Sequence, residues 1–145
     1  MLVKQILSMK SVGEVYTIAP TASVADAARL LSEKRIGAVV VSDDGSIPHG
    51  ILSERDIVRE LGKRGPAVLE LAIGELMTRK PMTCTTGDDA LEILERMTNG
   101  RFRHLPVVDE TGAMIGLVSI GDAVSARLKE LNAEKEALTG MIMGN

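Results

Sequence analysis

The sequence predicts a mixed α/β (α+β) fold built from two tandem copies of one strand-helix-strand-strand-helix unit, and three observations carry the prediction. Gly50-Ile51-Leu52-Ser53-Glu54-Arg55-Asp56-Ile57-Val58 returns as Gly116-Leu117-Val118-Ser119-Ile120-Gly121-Asp122-Ala123-Val124, a shift of 119 − 53 = 66 residues that matches Gly, Ser, Asp and Val. At the same offset Thr17 meets Thr83, Arg35 meets Arg101, Val41 meets Val107 and Asp43 meets Asp109, so one gapless register covers most of each half. Apolar runs, turn signals and helical periodicities also follow the same order in both halves. Two copies with so long a period are expected to bury their apolar faces against each other. Upstream, Val12-Gly13-Glu14-Val15 matches Ile73-Gly74-Glu75-Leu76 at 74 − 13 = 61, which implies 66 − 61 = 5 extra residues around Met77 to Pro81 in the second copy.

Taken in order, Val15 to Ile18 is a short extended run ended by Pro20. Ser23-Val24-Ala25-Asp26 resembles a capping box opening a helix that aligns Val24, Ala27, Ala28 and Leu31 on one face and ends near Lys34. Ala38 to Val41 is a β-branched run, Asp43-Asp44-Gly45 a turn signal, and Ile47 to Leu52 a second strand, which together suggest a hairpin. Ser53 starts a second helix running to Leu61, and Gly62-Lys63-Arg64-Gly65-Pro66 reads as a connector. The second copy repeats the order. It has a strand near Thr83, a helix from Asp89 through Leu91, Leu94 and Met97, and strands at Leu105 to Val108 and Met114 to Val118. Its last helix runs from Ser119 to about Leu138, with Glu130, Glu134 and Lys135 as a solvated face. The units are assigned as residues 1–64 and 65–132, followed by a helical tail at 133–145.

Composition narrows the function. With 145 residues, 45% of them hydrophobic and 26% charged, the chain can bury an ordinary core. A net charge of −3 argues against a general polyanion binder. One Phe, one Tyr and no Trp argue against base stacking, so a small ligand is expected to meet aliphatic walls and backbone. Single Cys84 permits no internal disulfide and reads as a buried small hydrophobe of a reducing compartment. No apolar run has the length of a membrane span, and Met1 to Lys10 lacks the apolar stretch of a secretion signal, so a cytoplasmic protein is expected.

The Ser-x-x-Asp pairs, Ser53 with Asp56 and Ser119 with Asp122, admit two readings. As residues they are helix starts, with Ser at the N-cap and Asp reaching back to the cap's amide, each stabilising by roughly 1 kcal/mol. By position, each follows a buried strand and a Gly, so that a hydroxyl, free helix amides and a carboxylate converge at a strand's carboxyl end. Free amides suit a phosphate, and a carboxylate can accept both hydrogens of a ribose diol. A second cluster, Arg101-Phe102-Arg103-His104-Leu105-Pro106, concentrates cations before an apolar strand, and alternation aims Arg101 and Arg103 to one face and Phe102 and His104 to the other. The first copy has Arg35-Ile36-Gly37-Ala38 there. The two clefts of a pseudo-twofold pair are therefore unequal in charge.

These residues resemble tandem cystathionine beta-synthase (CBS) domains, the CBS pair or Bateman module. The resemblance is carried by Gly-Ile-Leu-Ser-Glu-Arg-Asp at 50–56, Arg-His-Leu-Pro-Val-Val-Asp at 103–109 and Gly-Leu-Val-Ser-Ile-Gly-Asp at 116–122. It implies two units packed through their sheets with pseudo-twofold symmetry, two nucleotide clefts between them, association as a homodimer, and an adenosine ligand such as AMP, ADP, ATP, NAD(H) or S-adenosylmethionine. Carried over residue by residue, ribose-binding Asp falls on Asp56 and Asp122, with Ser53 and Ser119 near ribose and phosphate. Arg103 and His104 are expected to reach the Asp56 cleft, assisted by Arg55 and Lys10. Ile36, Gly37 and Ala38 are expected to line the Asp122 cleft, with Thr78 a weaker candidate there. With Gly37 and Ala38 in place of cations, the Asp122 cleft ranks second.

Catalysis is not expected. The sequence has no His or Cys cluster for a metal, no Walker-type loop and no nucleophile elbow. His49 reads as a hairpin surface residue, and Met141 and Met143 as possible contributors to a partner surface. The leading expectation is a regulatory module that senses an adenosine nucleotide and acts on a separate effector protein. The alternative is an interaction scaffold indifferent to nucleotides.

Overall fold

A computed structural model describes residues 1–10 and 15–144. It contains α1 (Val3–Met9), β1 (Thr17–Ile18), α2 (Val24–Lys34), β2 (Ala38–Val41), β3 (Gly50–Ser53) and α3 (Glu54–Arg64). Two short 3-10 turns follow at Pro66–Glu70 and Ile73–Glu75, then β4 (Thr78–Arg79), α4 (Ala90–Gly100), β5 (His104–Val108), β6 (Met114–Ser119) and α5 (Ile120–Ile142).

The 66-residue register holds strand by strand. In the first copy β2 pairs antiparallel with β3 through Ala38 with Ser53, Val39 with Leu52 and Val40 with Ile51. In the second, β5 pairs with β6 through His104 with Ser119, Leu105 with Val118 and Pro106 with Leu117, each shifted by 104 − 38 = 66. Both helices preceding these strands end on a left-handed arginine, Arg35 at φ 53° and Arg101 at φ 58°. The copies differ at the third strand. β1 runs parallel to β2, whereas the second copy keeps only a Cys84–Val107 bridge. The amide of Val40 donates to the Tyr16 carbonyl at 3.3 Å, but position 40 + 66 = 106 is Pro106, which has no N–H to donate.

Lead-in segments cross between the copies. Val3 and Ile6 of α1 sit in a core with Cys84, Ala90, Ile93 and Leu105. Val68, Ile73 and Leu76, which precede the second copy, sit in the other core with Val24, Leu31 and Leu52. The backbone repeats the exchange, Val3 N–H donating to the Asp88 carbonyl at 2.9 Å and Ile73 N–H to the Ala22 carbonyl at 2.8 Å. Side chains close it: Leu7 lies against Gly116 and Met77 against Gly50, and a β-carbon at Gly116 would come within 2.8 Å of Leu7 Cδ2. Burying an aliphatic side chain stabilises by roughly 1.5–3 kcal/mol, so Val3 and Ile6 together hold α1 with about 3–6 kcal/mol.

This exchange revises the upstream register. Val3, Ile6, Leu7 and Lys10 recur as Ile73, Leu76, Met77 and Lys80, at 73 − 3 = 70. The extra length therefore falls in the first copy, with 17 − 10 = 7 positions from Lys10 to Thr17 against 83 − 80 = 3 from Lys80 to Thr83. The proposed match through Val12, Gly13 and Glu14 lies outside the described residues.

Several boundaries differ from the sequence reading, the first strand beginning at Thr17, not Val15, and β5 at His104, not Leu105. The second strand begins at Gly50, not Ile47, because the Asp44 carboxylate accepts the amides of Ser46 and Ile47 at 2.8 and 2.9 Å and folds that stretch into a turn. Those amides hold the Asp44 carboxyl down to a pKa of about 2. α3 continues past Leu61 to Arg64 and stops at Gly65, where φ is +79°. α5 runs to Ile142. Among the described residues no helix is long and apolar enough to cross a membrane.

Candidate functional site

Each copy builds the same helix start. Asp56 N–H donates to Ser53 Oγ at 3.2 Å while Ser53 N–H donates to Asp56 Oδ2 at 2.9 Å. In the second copy the distances are 3.1 Å and 2.9 Å. A third box with the same bonds, Ser23 with Asp26, opens α2, so Ser-x-x-Asp alone does not mark a site.

The rest of each carboxylate separates the three. Asp56 Oδ1 accepts from Arg59 Nη2 at 2.9 Å, one helical turn away on α3. Asp26 Oδ1 likewise accepts from Arg29, also at i+3. Asp122 has Ser125 at that position. Its second partner comes from the other end of the chain: Lys10 Nζ donates to Asp122 Oδ2 at 2.9 Å and to the Leu117 carbonyl at 2.7 Å. Both bonds to the Asp122 side chain fall on Oδ2, and among the described residues Oδ1 has no partner. Burial works to raise the Asp122 pKa, but the Ser119 amide and the Lys10 ammonium outweigh it and hold the carboxyl below its ordinary value.

Asp122 and Ser119 lie on the wall of a cavity of about 510 Å³, a size that suits a small ligand. Ile36, Gly37 and Ala38 line the cavity from the first copy, and Leu117 and Gly116 from the second. His104 projects from the start of β5 and is pushed below its ordinary pKa by burial; Lys10 and Arg103 add to the lowering, against the carboxylates of Asp122 and Glu54. Tyr16, Lys34 and Arg35 complete the rim, and the Lys34 ammonium lies 5.1 Å from the centre of the Tyr16 ring. Three cations and one carboxylate thus surround apolar walls.

Several expected placements change. Lys10 serves the Asp122 cavity, not the Asp56 cleft, because α1 is packed on the second copy's core. His104 also lines the Asp122 cavity, whereas Arg103, one residue ahead of β5, does not. Arg103 is exposed, and its carbonyl accepts the Ile120 amide at 2.8 Å. Thr78 does not line the cavity, since β4 sets it opposite Ile51 on the first copy's sheet, where it is exposed. Arg55 is exposed on α3. The Asp122 cavity is not the charge-poor one, because Lys10, Lys34 and Arg35 supply cations from other elements. Nor are its walls only aliphatic, since Tyr16 contributes. The recurrence of Val3, Ile6, Leu7 and Lys10 at an offset of 70 was the readable signal for Lys10; no local signal pointed to Tyr16 or Lys34. Among the described residues no cluster of His, Cys, Asp or Glu is placed to hold a metal, and Cys84 is buried with its thiol pushed up to about 12.

Comparison with known proteins gives two matches to the CBS domain family, at residues 3–63 and 73–129. A crystal structure of a CBS-domain-containing protein of Agrobacterium tumefaciens is 38% identical and superposes with a TM-score of 0.82, covering 88% of this chain and 99% of that one. A CBS domain protein of Pyrobaculum aerophilum, solved in complex with AMP, is 26% identical with a TM-score of 0.73, covering 84% and 89%. A mitochondrial CBS domain-containing protein of Arabidopsis thaliana is 36% identical over 126 residues, 84% of this chain but 61% of that protein's length.

Proposed function

The chain belongs to the CBS-domain family, and on that premise we propose that it is a regulatory module whose Asp122 cavity binds an adenosine nucleotide and reports it to a separate effector protein in the cytoplasm. The observation that carries this reading is the open side of Asp122. Of the three Ser-x-x-Asp caps, it is the one whose carboxylate keeps an oxygen without a partner among the described residues and borders a cavity with three cations. The AMP held by the Pyrobaculum relative supports the ligand class.

In this reading the two ribose hydroxyls donate to the Asp122 carboxylate, and Ser119 Oγ, which already accepts the Asp122 amide, donates its own hydrogen to ribose or phosphate. Adenine lies between Ile36, Ala38 and Leu117, where backbone groups read its edge. The phosphate draws the ammonium of Lys10 off Asp122 and is met by Lys34 and Arg35. Gly37 leaves the wall beside His104 clear, and the neutral imidazole adds a hydrogen-bonding group without a second fixed charge. Ser53, Arg55, Asp56 and Arg103 are assigned in this reading to the other cleft, which ranks second, and Thr78 to neither. The cavity takes Arg35 to Ala38 from the first copy and His104, Leu117 and Asp122 from the second, so a ligand that fills it favours one arrangement of the two cores over another, and the effector reads that difference in affinity. The groups present bind and neutralise charge; among the described residues none is placed as a nucleophile with a base, and the module is read as a sensor without a catalytic cofactor.

A thermal-shift panel of AMP, ATP and NADH on nucleotide-free protein tests the class. A ligand at 100 times its Kd adds about 2.7 kcal/mol, which at roughly 2–4 °C per kcal/mol is a shift of about 5–11 °C. A flat panel would leave the caps as structure alone and favour the nucleotide-independent scaffold.

A further inference from the structure

Among the described residues that line the Asp122 cavity, His104 is the one whose side chain titrates near neutrality. It is half-buried, in hairpin register with Ser119, and it stands beside Gly37 of the first copy. A β-carbon at Gly37 would meet His104 Cε1 and Nε2 at 3.5 and 3.6 Å and Glu54 Oε1 at 3.8 Å. Glu54 opens α3, and its amide donates to the Gly37 carbonyl at 2.9 Å. The imidazole therefore has carboxylates from both copies around it, Glu54 of α3 and Asp122 of α5. Against them stand Lys10 beyond α1 and Arg103 ahead of β5, with Lys34, Arg35 and the Tyr16 phenol at the cavity rim.

The copies do not share this arrangement. At the offset of 66, Gly37 and Ala38 correspond to Arg103 and His104. Where the Asp122 side sets His104 against Gly37, the register offers the Asp56 side Ala38 and Arg103, a permanent cation in place of a titratable one.

We propose that His104 makes ligand binding in the Asp122 cavity proton-linked, so that acidification strengthens its hold on an anionic nucleotide. The proposal rests on the nucleotide reading of that cavity. Without ligand, burial first and then Lys10 and Arg103 keep the imidazole below its ordinary value, so it is uncharged at neutral pH. A bound phosphate brings negative charge to the cavity and draws the Lys10 ammonium off Asp122, which leaves that carboxylate less neutralised. Both changes favour the imidazolium, and Glu54 gives it a counter-charge from the first copy. A group whose pKa rises on binding takes up a proton with the ligand, and linkage then tightens binding as pH falls from the bound pKa to the free one.

Calorimetry of AMP binding to the full chain at pH 8 and pH 6 tests the linkage, with His104→Gln as the reference that carries the titration of AMP's own phosphate near pH 6. From pH 8 to pH 6 the affinity of wild type relative to His104→Gln is expected to rise about fivefold. At pH 6.5 wild type is expected to take up about half a proton more than His104→Gln, read from binding enthalpies in two buffers of different ionisation enthalpy. Glu54→Gln removes a counter-charge without touching a lining residue; it is expected to keep the pH 8 Kd within about twofold while cutting the rise to about twofold. An unchanged affinity ratio with equal proton uptake in wild type and His104→Gln would overturn the proposal and leave the nucleotide reading standing. Wild type that binds AMP at neither pH would overturn both.

Discussion

Asp56 and Asp122 are the same residue of the repeat, 66 positions apart, yet they are employed differently. Asp56 is closed: one oxygen caps α3 and the other takes Arg59 from its own helix, the arrangement also found at Asp26, where no ligand site is proposed. Asp122 is half open, and its partner Lys10 arrives from the far end of the chain. A repeat conserves backbone geometry more strictly than use. What distinguishes the copies is not the motif but what the i+3 position and the exchanged lead-in bring to it.

Substitutions on the two sides sharpen that contrast. The largest effect is expected from Asp122→Ala. Losing two charge-assisted hydrogen bonds, each worth about 1.5–3 kcal/mol, should weaken AMP binding at least about 100-fold in calorimetry, whereas Asp56→Ala should change the AMP Kd by less than about threefold. Next comes Gly116→Leu, which drives a side chain into the space of Leu7; overpacking costs typically 1–3 kcal/mol, read as a lower urea midpoint. Lys10→Met should follow, weakening AMP about tenfold while leaving adenosine within about twofold, because the lost contact is to phosphate. Asp56→Ala should lower stability by about 0.5–2 kcal/mol, the ordinary cost of a cap.

The smallest effect concerns pH. His104 has a folded pKa below its ordinary value of 6.5, so as pH falls below that value the unfolded chain takes up the proton first and stability drops until the folded pKa is passed. Asp122 is also depressed, and its contribution is present above the ordinary carboxylate value and is lost as pH falls through the folded one. Urea titrations from pH 7 to pH 5 should therefore show a decline that His104→Gln reduces, while Asp122→Asn, which removes a carboxylate that holds the His104 pKa up, deepens that decline and flattens the curve below pH 4.

The legible part of the fold was the local part. Capping boxes at Ser23, Ser53 and Ser119 and the β2–β3 and β5–β6 hairpins are set by residues close in sequence, whereas Ile36 to Ala38 are expected beside Asp122 only through the family resemblance. What escaped reading depends on partners far along the chain. Val3 packs beside Ala90, 90 − 3 = 87 residues away, and only that packing delivers Lys10 to Asp122. The expectation that His104 and Arg103 share a cleft fails because His104 opens β5 on the cavity wall while Arg103 stays exposed ahead of the strand. Pro106 was visible as a residue, but its consequence, a third strand reduced to one bridge, appears only when it is set against Val40.

The most direct measurement is the structure of the AMP complex. The account predicts one AMP in the Asp122 cavity, its ribose diol on the Asp122 carboxylate and the Lys10 ammonium withdrawn from Oδ2 toward the phosphate. AMP beside Asp56 with the Lys10–Asp122 pair intact would contradict it.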